Sequence, residues 1–262
     1  FGVYSLTKKR VIWFSALIVA GAIFLGCTVY FIRDYLHYRS ITNIGAYNNS
    51  SAVSQEKTDV EVPINFEELN RVNEDIYAWI NIPGDDPENP LADYPILQSN
   101  PNDDDNYYLN HNVNRKSSVY GAIYTQGYNN KDFGDFNTLI YGHNMRNGTM
   151  FGSLKKYRDK TFFDNHRDIN IYMPGRILKY RIFAAYVFDD RHILLSYDFS
   201  NEAARELYLE EALNQRRLSA NYSDDIEVGV NDKIITLSTC TSNEGERYLV
   251  QGVLVYDSDT DN

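Results

Sequence analysis

Ile234-Ile-Thr-Leu-Ser-Thr-Cys240 is an apolar, β-branched run that ends on a cysteine, and seven residues later Arg247-Tyr-Leu-Val-Gln-Gly-Val-Leu-Val-Tyr256 opens a second such run. Residues of this kind favour strands. If Thr236 to Cys240 is extended, Thr236, Ser238 and Cys240 share one face, and Leu237 and Thr239 share the other. Cys240 then lies at the strand's end, where a loop begins and a substrate can enter. Upstream, Thr138-Leu-Ile-Tyr141 is another apolar run, followed by Gly142-His143-Asn144-Met145.

Outward from these segments, strand-like stretches occur at 80–83, 94–97, 119–124, 137–141, 169–173, 178–188, 232–239 and 248–256. Short strands at turn-marked intervals suggest a closed or nearly closed barrel carrying inserted helices. The 22 tyrosines and 13 phenylalanines fit a β-rich, aromatic-packed body. Two helices are expected. From Asn65 to Trp79, the residues Phe66, Leu69, Val72, Ile76 and Trp79 recur at helical spacing, with Asn65 as N-cap and Glu68 in a box-like position. From Ser200 to Arg216, Ser200 is the expected N-cap, Glu202 lies in the first turn, and Arg216-Arg217 lie in the last.

The 22 residues Val11–Ile32 carry no charge, and Lys8-Lys9-Arg10 precede them. About 20 apolar residues in a helix cross a bilayer core, and basic residues anchor the cytoplasmic side. The expectation is a cytoplasmic tail at 1–10, a single transmembrane anchor at 11–32, a juxtamembrane linker at 33–62, an external domain at 63–258 and a short tail at 259–262. A cleaved signal peptide and a lipobox at Leu25-Gly26-Cys27 are the alternatives. The run is long for the first, while Phe24 and the apolar residues after Cys27 fit the second poorly. The formal net charge of −11 argues against nucleic-acid binding. One external cysteine leaves no intrachain disulfide to stabilise the domain.

A surface domain gains little from an unpaired cysteine unless the thiol does chemistry. A thiolate attacks carbonyls well, but a free cysteine is mostly protonated at neutral pH, so a neighbouring base or cation must help. His143 can supply the base and later return a proton to a leaving amine. Arg247 cannot act as a base. It can stabilise an oxyanion, hold the substrate backbone or favour the thiolate. Each residue alone has a plain packing explanation. Ser238 and Thr239 are ordinary strand residues or cleft hydroxyls, and Tyr141 and Asn144 either shape the site or pack. His111, His166 and His192 are read as structural or solvated. No spacing suits a metal or a phosphate loop, and Asn102–Asn106 reads as a solvated acidic loop rather than a calcium site.

Together the residues resemble a known family. Thr236-Leu-Ser-Thr-Cys240 matches the T-L-x-T-C signature of sortases, the cell-wall transpeptidases of Gram-positive bacteria. Tyr141–Met145 resembles their histidine segment, and Arg247 stands where their arginine would. Tyr107–His111, Ser118–Tyr124 and the 66–79 lead-in match as well, and the helix before the cysteine strand looks like the class B subgroup. The seven-residue Cys-to-Arg interval is short for that subgroup, although no other Arg or Lys lies between.

The resemblance implies an eight-stranded β-barrel, an N-terminal membrane anchor and no cofactor. It implies catalytic Cys240, His143 and Arg247, with Ser238, Thr239, Tyr141 and Asn144 as substrate-binding candidates. The implied partners are surface proteins bearing a C-terminal sorting motif, cleaved after Thr, and a peptidoglycan-precursor amine as acceptor. The enzyme would sit in the cell membrane with its catalytic domain outside. Pilin polymerisation on the same fold, and a non-catalytic wall-binding module, are the alternative readings. Specificity is expected from the segment between Phe188 and Asp232.

Overall fold

The computed structural model describes residues 2–42, 60–215, 220–243 and 245–260. It divides into two compact units, Phe1–Asn43 and Ile44–Asn262. In the first, helix α1 runs Gly2–Thr42, and its Val11–Arg33 stretch is long and apolar enough to cross a membrane. Two of its hydroxyls bond back one turn, Ser15 to the Val11 carbonyl and Thr28 to the Phe24 carbonyl. That satisfies polar groups that hydrocarbon could not. The expected linker residues 43–59 lie outside the described residues.

In the second unit, helix α2 (Phe66–Val72) starts where expected, the Asn65 side chain accepting the Glu68 N–H at 3.1 Å. It stops earlier than the 65–79 expectation. Asn73 ends the helix by accepting the Asp75 N–H on its own side chain at 3.0 Å, and the chain then extends as β1 (Ile76–Ile82). Ile76 and Trp79 are therefore strand residues. Ile76, Ile80 and Ile82, with Tyr77 and Trp79 among them, favour a pleated surface over a helix.

The remaining strands are β2 (Ala92–Gln98), β3 (Ile123–Thr125), β4 (Asn137–Tyr141), β5 (Asp168–Met173), β6 (Arg176–Asp189), β7 (Asn221–Tyr222), β8 (Ile234–Cys240) and β9 (Glu246–Asp257). Pairing runs β5-β1-β2-β3-β4-β8-β9-β6, and β6 pairs back to β5, closing an eight-stranded barrel. β7 adds two residues on β6 outside this ring. The β2–β3 and β4–β8 pairs are parallel and the others antiparallel. The third strand is shorter than 119–124 because Ser118–Gly121 form a turn, closed by the Gly121 N–H on the Ser118 carbonyl.

Between β6 and β8 lie α4 (Ile193–Ser196) and α5 (Glu202–Leu213); α3 (Lys160–Asn165) precedes β5. The cap of α5 is Asn201, which accepts the Ala203 N–H at 2.9 Å, not Ser200, whose hydroxyl bonds Asp198 instead. Arg216 and Arg217 lie outside the described residues. α5 packs Tyr208, Leu209 and Ala212 into one buried cluster with Phe136 and with Phe183, Tyr186, Phe188 and Leu249 of the sheet. Tyr197, Phe199 and Tyr208 meet ring to ring at 5.0–5.9 Å, so aromatic packing holds the inserted segment against the barrel.

Candidate active site

Strand β8 ends on Cys240, whose thiol is free and exposed. Its two neighbours bring chemistry to the same end. On one side, β4 runs parallel and pairs Tyr141 with Ser238. The Gly142 N–H continues the ladder onto the Ser238 carbonyl at 3.2 Å, and His143 follows. On the other side, β9 runs antiparallel and pairs Arg247 directly with Cys240. β6 extends beyond, with Phe188 opposite Arg247 and Asp189 opposite Glu246. The chain leaving β6 therefore reaches the same rim.

These ends enclose a cleft of about 250 Å³. Cys240, His143 and Arg247 all line it, as do Ser238, Thr239 and Tyr141. Asn144 does not line it. Its side-chain amide donates to the Cys240 carbonyl at 2.8 Å, tying the histidine loop to the nucleophile strand. Gly142 is required by close packing: a Cβ there would stand 2.5 Å from Ile123 Cδ1 and 2.7 Å from the Phe151 ring.

The ring of His143 reaches the Leu109 carbonyl, 2.6 Å from Nε2. Arg247 donates from Nη1 to the Glu246 carbonyl at 3.1 Å. Tyr124 and Tyr141, which both line the cleft, stack at 5.4 Å. Burial raises both phenols, and the guanidinium charge of Arg247 only partly opposes it, so both stay neutral. The hydroxyl of Thr239 is buried and has no hydrogen-bond partner among the described residues.

The far wall comes partly from the start of the 188–232 segment expected to set specificity, and partly from residues to which the sequence gives no role. Asp189–Ile193 line the cleft, with Asn106, Leu109 and Gln126 opposite. His192, read as solvated or locally bonded, places Nε2 2.7 Å from Gln126 Oε1 and sets its ring edge-on to Tyr128. Gln126 in turn donates to Asn106 at 2.9 Å. Arg191 is clamped by the carboxylates of Asp189 and Glu211, which holds the wall to α5. Extending the β6–β9 ladder to its last pair would have brought 189–193 to the Cys240 end. No residue type announced this, because a histidine after a strand is unremarkable by itself.

The arrangement can acylate a thiol, move protons at the same carbonyl and hold an oxyanion, which is acyl-transfer chemistry. The sortase domain family matches residues 87–255. Sortase B of Listeria monocytogenes is 35% identical over 198 residues, 74% of this chain and 76% of that protein. Sortase B of Staphylococcus aureus is 30% identical over 175 residues, 67% of each. Among solved structures, sortase B from Bacillus anthracis superposes with a TM-score of 0.69 at 30% identity, covering 86% of this chain and 99% of that one. A Staphylococcus aureus sortase B–substrate complex gives 0.62 at 29% identity, covering 73% and 84%. The chain belongs to the sortase family, in its sortase B group.

Proposed function

We propose that this sortase is a membrane-anchored cysteine transpeptidase that joins surface proteins to the cell wall. The observation that carries the reading is the register pair Cys240–Arg247, with His143 delivered to the same cleft by the parallel neighbour of β8. Cys240 Sγ gives its proton to His143 and attacks the carbonyl carbon of a threonine in a C-terminal sorting motif. The tetrahedral oxyanion lies against the Arg247 guanidinium. It collapses to a thioester as the leaving amine takes the proton from His143. A peptidoglycan-precursor amine then attacks the thioester, hands a proton to His143 and expels the thiolate, leaving a new amide bond.

Ser238, Thr239 and Tyr141 contribute the cleft surface along which the motif lies. Asn144 serves by holding the Cys240 backbone rather than by touching substrate. The catalytic domain is taken as 63–258 and the anchor as 11–32, with the catalytic domain outside the cell, toward the wall. Residues 189–193 form the specificity wall, backed by α5.

Intact-mass spectrometry of the chain with a pool of sorting-type peptides tests the proposal, with Cys240→Ala as control. A peptide adduct on the wild type alone is the expected result, and its mass identifies the motif. A Cys240 that neither acylates nor alkylates would overturn the reading.

A further inference from the structure

The Leu109 carbonyl is the one hydrogen-bond partner of the His143 ring among the described residues, at 2.6 Å from Nε2. A carbonyl oxygen only accepts, so in the neutral ring Nε2 carries the proton and Nδ1 carries the lone pair. The opposite tautomer would set two lone pairs against each other at that distance. We propose that the turn Tyr107–Leu109 is a positioning element for catalysis. Through the Leu109 carbonyl it holds His143 as the Nε2–H tautomer and leaves Nδ1 as the nitrogen that exchanges protons in the cleft. The catalytic half of this inference rests on the transpeptidase reading; the tautomer does not.

The surroundings of the turn fix that carbonyl. The Leu109 N–H donates to the Asn106 carbonyl at 2.9 Å, and the Ala122 N–H donates to the Tyr108 carbonyl at 2.9 Å. Tyr108 is fully buried. Its hydroxyl donates to Asp75 and accepts from Asn73 Nδ2 at 2.8 Å, while Arg115 reaches the same Asp75 carboxylate. Gly121 closes the arrangement. It sits at φ +58°, and a Cβ there would stand 2.5 Å from the Leu109 oxygen and 2.7 Å from the Tyr108 oxygen. The bare Cα thus lets the backbone pass directly against the carbonyl that His143 uses.

The proton inventory closes with this assignment. Nδ1 takes the thiol proton, giving thiolate and an imidazolium that still donates from Nε2 to Leu109. The same Nδ1 proton goes to the leaving amine, and the incoming amine restores it. A carboxylate does this orienting job in the serine-protease triad. Here a neutral carbonyl orients the ring without adding a negative charge beside it.

The test uses the full chain in detergent micelles, labelled with ¹⁵N at histidine. Long-range ¹H–¹⁵N spectra are taken above the histidine titration range, and His143→Gln assigns the signals. The expected wild-type pattern for His143 is Nε2–H. Gly121→Ala is expected to mix the two tautomers at His143, leave His166 unchanged, and slow peptide-adduct formation roughly ten- to hundred-fold. Tyr108→Phe, which keeps the ring and loses the Asp75 bond, should fall between. An Nδ1–H pattern in the wild type overturns the proposal, as does a Gly121→Ala protein with pure Nε2–H and the wild-type rate. If Gly121→Ala fails to fold, the wild-type spectrum and Tyr108→Phe decide. A chain that shows Nε2–H but never acylates would remove the transpeptidase reading and leave the tautomer assignment standing.

Discussion

The side-chain amide of Asn144 donates to the main-chain carbonyl of Cys240 at 2.8 Å. The residue after the histidine therefore holds the nucleophile's own peptide, across the gap where the β4–β8 ladder has ended at Tyr141–Ser238. Asn144 is exposed, so the bond adds little to global stability, about 0.5–1.5 kcal/mol. Its worth is geometric. Asn144→Ala is expected to leave the melting temperature within a few degrees while slowing thioester formation about tenfold. Asn144→Asp should be worse, because a carboxylate cannot donate and faces the carbonyl with like charge. Adduct formation followed by mass, beside a thermal melt, separates the two effects.

Arg247 faces Cys240 across β8 and β9, and its charge reaches Tyr124 and Tyr141. If it stabilises the oxyanion, Arg247→Ala should lower acylation by roughly 10²–10³. Arg247→Lys should recover only part, because a point charge lacks the planar fork. Alkylation of Cys240 by iodoacetamide should persist in both variants, since no oxyanion forms in that reaction. Equal losses in alkylation and acylation would instead assign Arg247 to activating the thiol.

The legible and illegible parts of this chain differ for physical reasons. Strands such as Asn137–Tyr141 and Ile234–Cys240 were readable because β-branched residues crowd them and turns bound them. The 65–79 segment was misread because β1 is buried on both faces. Its apolar residues then fail to alternate, and their spacing mimics a helix. The break at Asn73 is made by a side chain accepting the backbone N–H two residues on, at Asp75, a choice that composition does not reveal. Ser200 and Asn201 are both good caps, and only the local bond to Asp198 settles which one is used. Cys240, His143 and Arg247 were legible as a set because chemistry restricts residue type. His192, Gln126 and Asn106 were not, since their meeting depends on three separate segments reaching one rim.

Beneath the site lies a buried polar network. Gln251 donates to the Tyr208 hydroxyl at 2.7 Å and to Thr236 at 2.9 Å, and accepts from Tyr186 at 2.9 Å. Thr236 passes its own proton to Asn137 at 2.8 Å. All five residues are fully buried, so each lost bond strands a desolvated group. Gln251→Leu is expected to cost about 2–4 kcal/mol in urea unfolding, because an orphaned buried hydroxyl costs roughly 1–3 kcal/mol. Folded protein that survives the change should still alkylate at Cys240.

Asp93 sets a pH dependence opposite to that of an ordinary surface carboxylate. Burial lifts its pKa from 3.8 to about 6, against the lowering effect of hydrogen bonds from Trp79 at 2.8 Å and Asn81 at 3.1 Å. Its folded value exceeds the unfolded one, so the native state binds the extra proton between about pH 4 and pH 6. The cost of keeping it ionised is therefore full above pH 6 and relieved as the pH falls toward 4. Asp93→Asn keeps an oxygen for both donors and removes the ionisation. At pH 7 the variant should be more stable than the wild type by on the order of 1–2 kcal/mol, after discounting for partial exposure. The gap should close by pH 4. Urea midpoints at pH 7, 6, 5 and 4 measure it, and a gap that stays constant across that series would show that Asp93 does not titrate there.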